Sequence, residues 1–443
     1  MSREAPLKAE KDFTETLDEQ LPQIEQLSKS DYKSAVDKLL LLEKQTRQAS
    51  DLASCKRIMV NLVDLLASKK DWSLLDEQIL LLSKKQGQLK DSVRVMIQQA
   101  ISHLDEIEDL DTKIATIETI RTVTENKIFV EIERARVTRI YSDILLDKKN
   151  DLDKACDVLC ELQVETYGSM ELSEKIEFIL RQMTLSNKRG DFQLSKVLSR
   201  KILVRSLEKF ADQKLEYYRL MIDIALSEDN YIDLVKYHLA IYDIPKIKGD
   251  KVESLKALKQ IVYNSVLSPY SNLQNDLISR VKIDKNVDKL PAEKEIVQLF
   301  TTEELIDWKQ FEGQFSEHLF ENELFDQSTE KGKLHYKDLQ KRVIEHNLRV
   351  VSKYYSSIRL GRLCELLQLE QKDVELNIIE LVSNGVIYAK INRPSKVVSF
   401  IKVKNENEYL NEWSSNIDQL LGSIETIEHL INKEEMMYAA KVK

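Results

Sequence analysis

Side chains able to do covalent or metal chemistry are few and far apart in this sequence. The six histidines, His103, His238, His318, His335, His346 and His429, lie at least 11 residues from one another, so neither H-x-H nor H-E-x-x-H occurs. His318 and Glu321 make one isolated H-x-x-E, which is too common a pairing to mark a site. Cys156 and Cys160 are four apart and share a helix face, as half of a zinc site would. No second Cys or His pair stands near them, and free cysteine behaves as a small hydrophobe, so both are expected in a core, as is Cys364 within "RLCELL". The nearest two glycines, Gly313 and Gly332, are 19 apart, which removes dinucleotide loops, phosphate-cradling loops and the G-x-S-x-G elbow together. The expectation is a protein that is not an enzyme and carries no metal or cofactor.

Bulk composition narrows the class further. The chain has 443 residues, 42% of them hydrophobic, enough for two or three domains with a large core. Lys plus Arg number 66 against 75 Asp plus Glu, and a net charge of −9 gives no general attraction to a polyanion. The opening "MSREAPLKAEKDF" has no apolar leader core and nowhere do 18 apolar residues run together, so neither secretion nor a membrane is expected. Four scattered cysteines suit a reducing compartment, cytoplasm or nucleus.

Nine Gly and six Pro are far below the roughly 12% of average usage. No proline occurs between Pro22 and Pro245, which argues for continuous helix. Within that stretch Asp or Asn precedes a large apolar residue at Asp31-Tyr32, Asp71-Trp72, Asp151-Leu152, Asp191-Phe192 and Asn230-Tyr231, spaced 40, 80, 40 and 39; Asp109 or Asp111 fills the gap with a weaker match. Runs such as "RIMVNLVDLLASKK" precede the acid, whose carboxylate is suited to cap the next helix, and Gly190 is placed for a left-handed helix end. Each ~40-residue unit reads as a helical hairpin that buries its apolar face only by stacking on its neighbours. The expected architecture is all-α with a small α+β module: an N-terminal arm (1–20), a tetratricopeptide-like solenoid (21–245), further helices (246–335), a winged helix (336–404) and a long C-terminal helix (405–443). Thr301-Thr302-Glu303-Glu304 offers a capping box for a helix over "TTEELIDWKQFEGQF", and "FDQSTEKGK" (325–333) reads as a surface loop.

Residues 356–400 have the strand, helix, helix, hairpin order of a winged helix-turn-helix. A base-reading third helix needs Arg, Lys, Asn or Gln on its outer face. Here Glu370, Asp373, Glu375 and Glu380 oppose Lys372, net −3, with Val374, Ile378, Leu381 and Val382 spaced to face the core. Lys390, Arg393, Lys396, Lys402 and Lys404 on the wing could touch phosphate, but without base readout. A winged-helix nucleic-acid-binding protein is therefore the second, less favoured class, and no nucleic-acid partner is expected. Protein partners are favoured instead. The strand around Val397, Val398, Ser399 and Phe400 is a candidate edge for pairing with another chain. Leu410, Trp413, Ile417, Leu420, Ile424, Ile427 and Ile431 step by 3 and 4 alternately, a heptad seam that calls for partner helices, widened by Leu421 and Leu430.

This order of parts is that of the PCI domain shared by the proteasome lid, the COP9 signalosome and translation initiation factor 3. "FTTEELIDW" (300–308), "HNLRVVSKYYSSIRLGRLCELLQL" (346–369) and "IIELVSNGVIYAKINRP" (378–394) resemble the PCI-domain subunits of the 26S proteasome regulatory-particle lid, in the family of the fifth non-ATPase regulatory subunit and its paralogue, the fourth signalosome subunit. The resemblance covers nearly the whole chain. It implies a non-catalytic scaffold for ubiquitin-dependent degradation, whose winged helix meets those of other PCI subunits edge to edge and whose C-terminal helix joins theirs in a bundle. It further implies the lid's metal-dependent deubiquitinase as a neighbour, and a solenoid that reaches toward the ATPase ring or core particle. The interface is carried over only to Val397–Phe400 and to the seam from Leu410 to Ile431.

Overall fold

The computed structural model describes residues 13–402 and 404–442. They fall into two compact units, one running to Asn230 together with Ala240–Asp250, the other comprising Tyr231–Leu239 and the chain from Lys251 onward.

The first unit is a series of helical hairpins: α1 (Thr14–Ser30) with α2 (Tyr32–Gln48), α3 (Leu52–Ser68) with α4 (Trp72–Lys84), α5 (Lys90–Ser102) with α6 (Leu110–Thr124), α7 (Glu131–Asp147) with α8 (Leu152–Cys160), and α9 (Leu172–Arg189) with α10 (Phe192–Ser199). α11 (Val204–Leu207) and α12 (Ala211–Ser227) follow, then α13 (Tyr231–Tyr242), whose two ends belong to different units, and α14 (Pro245–Gly249). The second helix of every hairpin starts from an aspartate. Asp31, Asp71, Asp109, Asp151 and Asp191 each accept a backbone N–H from the first turn, so Asp109 is the weak member of the repeat. Asp51, which the repeat pattern missed, caps α3 in the same way. Ser50, Lys70 and Asn150 take left-handed φ of 55°, 55° and 51°, and the next residue is the cap, so helix end and helix start share one tight turn. Gly190 closes α9 in the left-handed region, as its position suggested.

Equivalent helices of successive hairpins pack together, α3 on α5 and α4 on α6. The repeat length therefore reappears as polar contacts near 40 residues apart. Tyr32 Oη donates to Asp71 (3.2 Å), Arg94 to Glu133 (3.0 Å), Arg121 to Glu161 (2.9 Å) and Arg136 to Glu174 (2.8 Å). Glu43 is buried, yet it is satisfied by Arg47 and Lys85, each at 3.0 Å, as a buried carboxylate requires. Cys156 is fully buried with Leu159 and Phe178, and its Sγ lies 3.8 Å from that of Cys160, whose thiol is pushed up to about 12 by burial and by that neighbour.

The second unit continues with α15 (Lys251–Leu267), α16 (Asn272–Ile283), α17 (Pro291–Thr301), α18 (Trp308–Phe320) and α19 (Glu330–Tyr354). Two sequence expectations fail here. The capping box does not form: Thr301 ends α17, the Thr302 hydroxyl donates back to Gln298 O (2.9 Å), and α18 starts later, capped by Asp307. The segment 325–333 is only partly a loop, because Phe325 is fully buried and α19 begins at Glu330.

The winged helix is β1 (Ser357–Arg359), α20 (Leu360–Leu367), α21 (Gln371–Ser383), β2 (Lys390–Asn392) and β3 (Val397–Ser399), and α22 (Glu406–Val442) follows. Its core joins Leu348 and Val351 of α19 to Leu363, Val374, Ile378, Leu381, Val398 and Phe400. Val382, expected in that core, is instead exposed. The sheet order is β1-β3-β2, with both pairs antiparallel and Val398 opposite Ile358 and Ile391. This overturns the edge-strand expectation for Val397, Val398, Ser399 and Phe400. β3 is the central strand, Val398 and Phe400 are buried core, and Phe400 N–H donates to Ser356 O (2.9 Å). A strand paired on both sides has no free ladder groups to offer a partner.

Candidate partner-docking site

The C-terminal seam lies on one continuous helix. Asn405 N–H donates to Glu408 Oε2 (3.1 Å), so the third residue of α22 reaches back to the residue before it, and no proline interrupts the 37 residues that follow. Every residue from Tyr409 to Ala440 is exposed. Trp413 is 65% exposed, Ile424 53%, and even Ile417, the least exposed of the seam, is 38%. Leu410, Leu420, Ile427 and Ile431 share that state, with Leu421 and Leu430 flanking them. Seven large apolar side chains in one stripe are a surface that water penalises by about 25 cal/mol per Å².

On the winged helix the unpaired edges are the outer sides of β1 and β2. The outer face of α21 is not the continuous acid strip that charge counting implied. Glu375 pairs with Arg393 (3.1 Å) and Glu380 with Lys341 (2.5 Å), while Leu376 and Ile379 are left in solvent. None of the exposed side chains of α21 is an arginine, and its one lysine is Lys372.

A polar clamp that sequence reasoning did not foresee holds the segment between α17 and α18. Asn347 Oδ1 accepts Ile306 N–H (2.8 Å) and its Nδ2 donates to Ile306 O (2.9 Å). His346 Nε2 lies 3.1 Å from Glu304 O, and its Nδ1 lies 3.3 Å from Arg349 Nη2, which fits the neutral ring with its proton on Nε2. Burial, reinforced by Arg349, brings that imidazole down to about 4. Arg349 stacks over Tyr270 at 3.6 Å. Two of the sequence motifs, "FTTEELIDW" and "HNLR", are thus the two halves of one contact; a polar His-Asn pair running straight into the apolar Leu348, Val350 and Val351 was the available signal.

Among the described residues no three His, Cys, Asp or Glu side chains are grouped to hold a metal, and no helix is long and apolar enough to cross a membrane.

Comparison with known proteins bears on the whole length. A family model described as "PSMD12/CSN4, N-terminal" matches residues 34–250, the PCI domain matches 308–402, and "26S proteasome regulatory subunit RPN5 C-terminal domain" matches 407–439. The 26S proteasome regulatory subunit RPN5 of Saccharomyces cerevisiae is 52% identical over 449 residues, covering 100% of both chains. The chain belongs to the RPN5/PSMD12 family of 26S proteasome regulatory subunits. Schizosaccharomyces pombe rpn501 is 40% identical with 97% of each chain covered, and non-ATPase regulatory subunit 12 of Dictyostelium discoideum is 37% identical over 97% of this chain and 96% of its own. In RPN5/PSMD12 terms, the exposed seam lies entirely within the match to the family's C-terminal domain, and β1, β2, β3 and the clamp residues His346 and Asn347 lie within the PCI match.

Proposed function

We propose that this chain is a non-catalytic scaffold subunit of the 26S proteasome regulatory-particle lid, which it joins through the α22 seam. The observation that carries this reading is the seam itself, exposed along its whole length in a chain of the RPN5/PSMD12 family. An apolar stripe of heptad period is stabilised when helices from other subunits cover it. Other PCI subunits of the lid are the partners, through their C-terminal helices and through winged-helix edges. For the latter, β2 and β1 take the place of the strand named from sequence, since β3 is already paired twice. The lid's metal-dependent deubiquitinase is a neighbour in this arrangement, and the solenoid is the arm directed at the ATPase ring or core particle, in cytoplasm and nucleus. The relatives carry proteasome names, which favours the lid over a signalosome scaffold. No nucleic acid is assigned, because α21 carries no arginine and a single lysine, Lys372, against the carboxylates of Asp373, Glu375 and Glu380.

The test is Ile424→Asp, which would bury a charge without a partner in the assembled bundle, a cost of several kcal/mol. The purified chain should stay folded and fail to enter the lid when mixed with the other subunits, while Glu425→Gln enters normally. Full incorporation of Ile424→Asp, judged by native gel and mass spectrometry, would sink the bundle reading.

A further inference from the structure

The charge around the seam is one-sided. From Glu406 to Lys443 eight carboxylates face three lysines, net −5, and two of those lysines are among the last three residues. Five of the eight, Glu406, Glu408, Glu412, Asp418 and Glu425, lie near the start of α22 or on positions directed away from the middle of the stripe. The other three do not. Continuing the 3-4 step past Ile431 puts Glu434 on the seam itself, and Glu428 and Glu435, seven apart, stack along one flank. The opposite flank at the same level holds Leu430 and Met437, also seven apart and apolar. All five side chains are exposed. The first half of the seam is flanked by Ser414, Leu421, Asn416 and Ser423, which carry no charge.

From this asymmetry we infer that the C-terminal half of the seam selects its partner by charge: on the Glu428–Glu435 flank it takes an amphipathic helix of another polypeptide that presents Lys or Arg beside its own apolar stripe. The inference rests on the docking reading above and adds to it the chemistry of the occupant. A second copy of this chain is the wrong occupant. In a parallel pair Glu434 would face its own counterpart across the seam, and desolvating two like charges is penalised far more than an exposed pair is rewarded. A seam of seven large apolar residues would otherwise be prone to self-pairing, so the carboxylates keep the unassembled chain single and leave the surface open to basic helices.

The experiment uses the full chain and three synthetic helical peptides of four heptads: one with an Ile/Leu seam flanked by Lys, one with the same seam flanked by Glu, and one with Lys flanks and a Ser seam. In fluorescence anisotropy at physiological salt the wild-type chain should bind the first at least about tenfold more tightly than the second, and the third not at all. Glu428→Lys with Glu434→Lys and Glu435→Lys should reverse the preference, and the corresponding triple Gln variant should abolish it. Sedimentation velocity should find the wild-type chain monomeric. Equal affinity for the Lys- and Glu-flanked peptides, or self-association of the wild-type chain, overturns the charge inference while leaving helix docking intact. Binding of neither apolar-seam peptide overturns helix docking itself.

Discussion

Single residues here act mostly through backbone groups and charge. One capping aspartate serves two repeats at once: Asp71 accepts Leu74 N–H from its own helix and the Tyr32 hydroxyl from the preceding hairpin, and these donors hold its carboxyl below the usual range against the opposing effect of burial. Asp76 is the contrary case. It accepts one hydrogen bond, from Thr116 Oγ1 (3.2 Å), no cation stands beside it among the described residues, and burial pushes it up to about 6. Its folded-state pKa lies above the unfolded value, so the folded state holds the proton more tightly, and the charged form costs stability above pH 6. That cost shrinks as pH falls from about 6 toward 4. Asp76→Asn should therefore raise stability by about 1–2 kcal/mol near pH 8, a figure reduced for the partial exposure of the site, with the gain fading toward pH 4. Thermal melts across that range check it; a gain independent of pH would point to packing instead. His346 has the opposite sign. Its folded-state pKa is depressed to about 4 from 6.5, so its contribution is complete above 6.5 and is lost as pH falls toward 4.

At the scale of elements, the two glycines that sequence spacing set nearest together have opposite roles. Gly313 lies in α18 with nothing within 4 Å of the position a Cβ would take, so Gly313→Ala should stabilise by about 0.5–1 kcal/mol through helix propensity. Gly332 lies in the first turn of α19, and a Cβ there would stand 1.9 Å from Asp326 O, a backbone atom that cannot swing aside. Gly332→Ala should cost about 1–3 kcal/mol, as overpacking does. Urea midpoints for the two variants should move in opposite directions; a matching shift would mean that the turn before α19 yields. The same turn explains why a polar stretch became a helix start: Thr329 Oγ1 accepts Gly332 N–H (3.1 Å), and Phe325 is buried beneath it.

For the whole molecule, α22 is a helix whose residues from Tyr409 to Ala440 all remain in solvent, so it adds little to the stability of the unassembled chain. Ending the chain after Asn405 should shift the melting temperature by less than about 2 °C while abolishing entry into the lid. A larger drop in differential scanning calorimetry would mean that α22 supports the fold from which it projects. The net charge of −9 belongs to this scale too, bearing on which partners approach rather than on which fold forms.

What the sequence determined by itself was everything set by local periodicity. The 40-residue spacing of capping aspartates marks the hairpins because an Asp side chain reaches N–H groups two or three residues ahead, and the 3-4 step of the seam marks α22 because 3.6 residues make a turn. Tertiary structure decided the rest, because the deciding partners are distant in the chain. β3 is central because Ser399 pairs with Ser357 on one side and with Lys390 on the other, and no pattern within Val397–Phe400 distinguishes a strand paired twice from one paired once. Thr302 caps the end of a helix instead of starting one because Asn347 and His346, more than 40 residues on, hold Ile306 and Glu304 in a non-helical segment where the capping box would have begun a helix.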